Sequence, residues 1–168
     1  TVRFAGVAVP NPRWWEPHPS PPPQMHTLAA SLLLPDAAPE ATVDEVVVRF
    51  GLRTVGRRGR AITINGKPVK LRGVNRHDMF PQLGPSLPAS QYAADLDLLQ
   101  NSLNGNFVRG AHYPQDARVL SLCDERGVLV WNEALAWGNW APTLTDPRFM
   151  RAELATAHAM VDTAANHP

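Results

Sequence analysis

The chain has 168 residues, 44% hydrophobic and 18% charged, with a formal net charge of +1. That apolar fraction suits a packed core rather than a disordered segment, and so small a charge gives no case for a nucleic-acid partner, which needs clustered Lys and Arg. A single cysteine, Cys123, excludes an internal disulfide and a metal site built on thiolates. Nothing approaches the roughly 18 to 20 consecutive apolar residues of a membrane span, so no membrane partner is expected. No signal-peptide pattern opens the chain, but residue 1 is Thr and not a start methionine, which leaves the compartment open.

The first third reads as β structure. Residues 2–9 alternate loosely between apolar and other side chains. Residues 17–23 hold five prolines, which cannot donate to a ladder, so this stretch is an extended connection. Residues 27–34 set Leu28, Ala30, Leu32 and Leu34 on one face, and the valine-rich 43–50 is framed by Asp44 and Gly51. Short β-branched runs between turn residues suggest an antiparallel sandwich. The stretch from Gly56 to Gly59 breaks the pattern and places a domain boundary there, dividing 1–57 from 58–168. Arg57, Arg58 and Arg60 form a short basic cluster beside glycines, which reads as a solvated turn.

Beyond the boundary, 61–64 and 69–71 flank Asn65-Gly66 and read as a hairpin with a type I′ turn. Alternating units follow. Residues 70–74 are a strand. Ser90 caps a helix whose apolar face is Tyr92, Leu96, Leu99 and Leu103, and Asn104-Gly105 ends it. Residues 106–109 are a strand. The helix over 115–126 carries Val119, Leu120, Leu122 and Cys123 and stops at Gly127. Residues 128–131 are a third strand. Asp146 and Pro147 open a helix that runs to about Ala165.

This alternation predicts an α/β fold with a parallel sheet and crossover helices, in three βα units. A (β/α)8 barrel has eight such units in roughly 250 residues, so the barrel reading expects the rest to lie beyond Pro168. A Rossmann-type sheet is the structural alternative, but no Gly-rich phosphate loop follows any strand.

In a parallel barrel, functional residues collect at the C-terminal strand ends. Three clusters stand there: Gly73-Val74-Asn75-Arg76-His77-Asp78, then Arg109-Gly110-Ala111-His112-Tyr113-Pro114, then Asn132-Glu133 with Trp137, Gly138, Asn139 and Trp140. Their amide, guanidinium, imidazole and carboxylate groups match sugar hydroxyls as donors and acceptors. A Trp offers a flat apolar face to the C–H face of a pyranose. Blander readings exist for each. Arg109 could be a plain ion-pair partner, His77 and His112 satisfied histidines, and Trp137 and Trp140 loop packing. Asp78 and Glu133 are the only acids at these ends, and the residues alone would allow them as a glycosidase pair. A zinc site from His77, Asp78 and His112 is disfavoured because no short His-x-x-x-His spacing is present.

A series of phrases runs through the chain in order. Trp15 to Pro17 and Pro23 to Leu28 come first, then Val43-Asp44-Glu45 and Phe50-Gly51-Leu52-Arg53. Ile64-Asn65-Gly66-Lys67-Pro68-Val69 and Leu71-Arg72-Gly73-Val74-Asn75-Arg76-His77 follow. Asn106-Phe107-Val108-Arg109, His112-Tyr113-Pro114 and Leu122-Cys123-Asp124-Glu125-Arg126-Gly127 complete it. The series resembles family 2 glycoside hydrolases, the group of β-galactosidases, β-glucuronidases and β-mannosidases.

The resemblance implies that 1–57 ends an immunoglobulin-like β-sandwich and that 58–168 begins a (β/α)8 TIM barrel. It implies retaining hydrolysis of a carbohydrate substrate by two glutamates. The acid/base would follow the fourth strand and the nucleophile would lie near the seventh. Asn166-His167-Pro168 resembles the phrase leading into the fourth strand, so both glutamates are expected beyond Pro168 and none of the catalytic pair in this chain. Asn132-Glu133 imitates the acid/base pair but matches the third-strand end, which assigns Glu133 to pocket structure. Arg109 would hold the nucleophile ionised, with His77 and His112 around the sugar. Asp78, Glu133, Trp137 and Asn139 complete the expected pocket.

Two departures matter. Asp78 is followed by Met79, where the family often has a second acid. Trp137-Gly138-Asn139 stands where some β-galactosidases carry magnesium ligands. It offers neither acid nor imidazole, so neither metal nor cofactor is expected. A homo-oligomer of the full-length form is left open. The competing reading is a non-catalytic carbohydrate-binding or scaffold module derived from the same family.

Overall fold

The computed structural model of the chain describes residues 5–17, 22–34, 42–135 and 137–168. β1 (His26–Leu33) and β2 (Thr42–Phe50) pair antiparallel. Their register sets Leu28 opposite Val48, Ala30 opposite Val46 and Leu32 opposite Asp44, so the apolar stripe read from β1 continues onto β2 at Val48 and Val46 and stops at Asp44. Leu28, Leu32 and Val46 are nevertheless exposed. The strand expected over 2–9 is not formed by residues 5–9, which find no ladder partner among the described residues; residues 2–4 lie outside them. Within the proline stretch, 18–21 also lie outside the described residues, and residues 22–25 form no strand.

β3 (Val55–Arg58), β4 (Ala61–Ile64) and β5 (Lys67–Val69) make a three-stranded antiparallel sheet. Asn65 (φ 51°) and Gly66 (φ 75°) are both left-handed, as a primed two-residue turn requires. β3 corrects the reading of a solvated turn: Arg57 and Arg58 pair with Ile62 and Ala61, and only Gly59-Arg60 turns. The arginine side chains are exposed while the backbone completes the ladder, so composition hid the strand.

Asn65 also ties the sheet to the N-terminal segment. Its side chain accepts from the Thr54 N–H at 2.9 Å and donates to the Trp15 carbonyl at 2.8 Å. Trp15 is fully buried, and its indole N–H donates to the Asp124 carbonyl at 2.8 Å.

β6 (Gly73–Arg76), β7 (Phe107–Gly110) and β8 (Leu129–Trp131) form a parallel sheet in the order β6-β7-β8. Each strand is followed by helix: α1 (Ala89–Asp97), α2 (Ala117–Arg126), and the short α3 (Ala141–Leu144) leading to α4 (Pro147–Ala164). The three expected βα units are therefore present. β6 starts later than residue 70, because the Asn106 side chain engages the Lys70 carbonyl and the Arg72 N–H in place of ladder bonds. At Gly73 a Cβ would stand 1.8 Å from the Phe107 carbonyl oxygen, so only glycine allows the two strands to approach here.

The helix limits follow from their caps. Asp116 accepts from the Arg118 N–H and Asp146 from the Arg148 N–H, each at 2.8 Å. α1 differs from expectation at both ends. Its N-cap is Pro88, and Ser90 is its second residue. At the other end it runs into a π turn over Leu98–Ser102. That wider turn shifts the helical phase, so Leu103 leaves the buried face and is 57% exposed. The core lies between the sheet and the first two helices: Leu87, Tyr92, Leu96, Leu99, Val108, Val119, Cys123 and Val128. Burying each large apolar side chain contributes about 1.5–3 kcal/mol.

Candidate functional site

The register pairs Asn75 with Arg109 and Arg109 with Trp131, which brings the three strand-end loops side by side. Arg109 reaches Glu133 with two parallel bonds: Nε donates to Oε1 at 2.6 Å and Nη2 to Oε2 at 3.2 Å. Its remaining arm, Nη1, donates to Asn75 Oδ1 at 3.3 Å. His112 Nδ1 lies 3.0 Å from Glu133 Oε2 and 3.1 Å from Arg109 Nη2. An ionised carboxylate only accepts and a guanidinium only donates. The consistent arrangement has the His112 Nδ1–H donating to Glu133.

Around this triad, the Trp137 ring stacks on His112 at 4.4 Å and 6° between planes, and His77 meets His112 edge-on at 5.4 Å. Trp137 is 69% exposed, so one face is covered by imidazole while much of the ring remains open.

The hydrogen bond from His112, joined by those from Arg109 and only partly opposed by desolvation, holds the Glu133 carboxyl below the usual carboxylate range. Two charge-assisted N–H···O bonds in a fork fix its plane as well. At neutral pH Glu133 is an anchored acceptor with both oxygens engaged, an arrangement suited to orienting Arg109 and His112 and poorly suited to donating a proton.

Of the sequence-selected residues, His77, Arg109, His112, Glu133 and Trp137 come together. Asp78 does not join them. Its carboxylate pairs with Arg76, and its backbone N–H donates to the Tyr113 hydroxyl at 2.7 Å. Asn139 is half-buried, and its Nδ2 has no hydrogen-bond partner among the described residues. Asn75, which stands in the first strand-end cluster but outside the expected pocket, lies beside Arg109, as the strand register sets it. Tyr113, in the second cluster, joins the first and second loops through the Asp78 N–H, a contact that its position in the chain does not reveal. Among the described residues no group of three or more His, Cys, Asp or Glu is arranged to hold a metal ion. No helix of the described residues is long and apolar enough to cross a membrane.

The family model described as "Glycosyl hydrolases family 2, TIM barrel domain" matches residues 55–168. A β-galactosidase from Thermoanaerobacter pseudethanolicus is 37% identical over 133 residues, 78% of this chain and 17% of that protein. The structure of a β-galacturonidase from Eisenbergiella tayi bound to galacturonate is similar with a TM-score of 0.83 and 32% identity, covering 96% of this chain and 28% of that one. A β-glucuronidase from Ruminococcus gnavus in complex with D-glucuronic acid gives a TM-score of 0.80 at 27% identity, covering 94% and 26%. The chain thus spans less than a third of the length of each of these relatives.

Proposed function

Because the chain belongs to glycoside hydrolase family 2, we propose that it is a segment of a retaining exo-β-glycosidase acting on β-galactosides, β-glucuronides or β-mannosides. The observation that carries this reading is the Arg109–Glu133–His112 triad at the C-terminal ends of parallel strands, beside the open ring of Trp137. In this reading His77, Trp137 and Asn139 face the sugar, and Arg109 and His112 are held for it by Glu133. Asp78 shapes the pocket through the first loop.

The domain division is part of the same proposal. The β1–β2 pair, with its open apolar stripe, is the end of an immunoglobulin-like sandwich within residues 1–57. Residues 58–168 begin the barrel, with β3 reaching back across that boundary.

The two catalytic glutamates are not among these residues. Retaining hydrolysis needs carboxyl groups about 5 to 5.5 Å apart. Asp78 and Glu133 follow β6 and β8, two strand spacings or about 10 Å apart, and each is already paired with an arginine. The segment by itself is therefore inactive.

The test is turnover of aryl β-galactoside, β-glucuronide and β-mannoside by the whole protein that carries this chain. Hydrolysis of at least one, with retention at the anomeric carbon, supports the proposal. Sugar binding without hydrolysis of any would contradict it in favour of a non-catalytic module.

A further inference from the structure

We propose that Arg76 is a positioning residue that locks the three strand-end loops to one another and so sets the geometry of the Arg109–Glu133–His112 triad. This rests on the glycosidase reading for its kinetic consequence but not for its structural one. Arg76 ends β6 and is only 7% exposed. Its guanidinium reaches three elements at once. Nε donates to Asp95 Oδ2 on α1 at 3.1 Å. Nη1 donates to Asp78 in the first loop and to Gln115 Oε1 in the second, the latter at 3.2 Å. The Tyr92 ring lies 4.9 Å from Cζ and supports the fork from α1.

Two of these partners pass the constraint on. The Gln115 N–H donates to Asn132 Oδ1 at 2.9 Å, and Asn132 directly precedes Glu133. The Asp78 N–H donates to the Tyr113 hydroxyl at 2.7 Å, and Tyr113 directly follows His112. Each branch from Arg76 therefore ends one residue from a member of the triad, and Asp78 itself directly follows His77.

Stability alone does not explain an arginine here. A buried charge among two carboxylates contributes little net stability compared with a well-packed apolar side chain. Burial works against the Arg76 charge, and Asp78 and Asp95 outweigh it, so the fork stays protonated. Only a planar fork with several fixed donors reaches all three elements simultaneously; lysine keeps the charge but not that reach.

The experiment compares Arg76→Lys with Arg126→Ala in the whole protein. Arg126 ties α2 to Asp97 at 2.5 Å and to the Ala93 carbonyl at 3.3 Å, away from the strand ends. Both variants are expected to lower Tm. Arg76→Lys alone should reduce kcat/KM on the best aryl glycoside, by about 10- to 100-fold, with most of the loss in kcat, because displaced groups no longer match the reacting geometry. A second readout needs no turnover: in the unliganded protein the ring-proton resonances of His77 and His112 should shift in Arg76→Lys and stay in place in Arg126→Ala. A folded Arg76→Lys variant with unmoved histidine resonances overturns the inference, as does kcat/KM within twofold of an active wild type. A wild type inactive on every glycoside overturns the functional reading alone, and the resonances still decide the role of Arg76.

Discussion

Arg109 and Glu133 face each other across adjacent parallel strand ends, with Nε 2.6 Å from Oε1 and Nη2 3.2 Å from Oε2. Neither residue is free to move without disturbing His112, which lies within 3.1 Å of both. The pair therefore fixes His112, on which Trp137 stacks, and Asn75, which Arg109 holds.

Replacing Arg109 by alanine removes both bonds to Glu133 and the link to Asn75. In the whole protein this should lower kcat/KM by about 100-fold or more, the scale seen when a fixed charged donor is lost from a reacting site. Steady-state kinetics on an aryl β-glycoside checks this, and unchanged kinetics would refute the role given to Arg109.

Acid should weaken the same fixture. The Glu133 carboxyl is held below its ordinary value of 4.5 by His112 and Arg109. The unfolded chain therefore takes up a proton first, and the stabilisation is present above about pH 4.5 and lost as pH falls through the lowered native value. Urea midpoints of wild type and Glu133→Gln, measured from pH 3 to pH 7, should converge toward the acid end. A stability difference between them that is constant over this range would contradict the account.

Much of this arrangement was legible in the residues, and the exceptions have physical causes. Asp146-Pro147 and Gly127 marked helix limits because a cap and a left-handed stop depend on chemistry within a few residues. The parallel order of β6, β7 and β8 followed from the strand–helix alternation. Leu103 was misplaced because a π turn changes the helical phase without leaving a mark in composition. β3 was hidden because Arg57 and Arg58 contribute only backbone to their sheet. Asp78 was grouped with the site by its position in the chain, whereas its direction is set by Arg76, a partner visible only once the fold brings the loops together.

Cys123 reports on the core independently of the site. It is the only cysteine, it is 1% exposed, and burial pushes its thiol up to about 12. A thiol-specific reagent at pH 8 should therefore label this position only as the barrel segment opens, with a rate that rises with urea alongside loss of helical circular dichroism. Rapid labelling under native conditions would show that α2 does not pack on the sheet as described.

In the proposed function Glu133 holds the site together and does not transfer the proton. Loss of a general acid/base penalises poor leaving groups by about 100-fold or more relative to activated ones, and with activated substrates a small anion such as azide, which needs no general base, then releases the covalent intermediate and raises kcat. The decisive measurement, on Glu133→Gln in the whole protein, is kcat/KM on phenyl and dinitrophenyl β-glycosides together with kcat on the dinitrophenyl substrate with and without azide. The same fractional loss on both substrates and no effect of azide are expected. A variant that keeps its kcat/KM on the dinitrophenyl substrate, loses it on the phenyl substrate and gains kcat on the dinitrophenyl substrate when azide is added would overturn this reading and make Glu133 the acid/base.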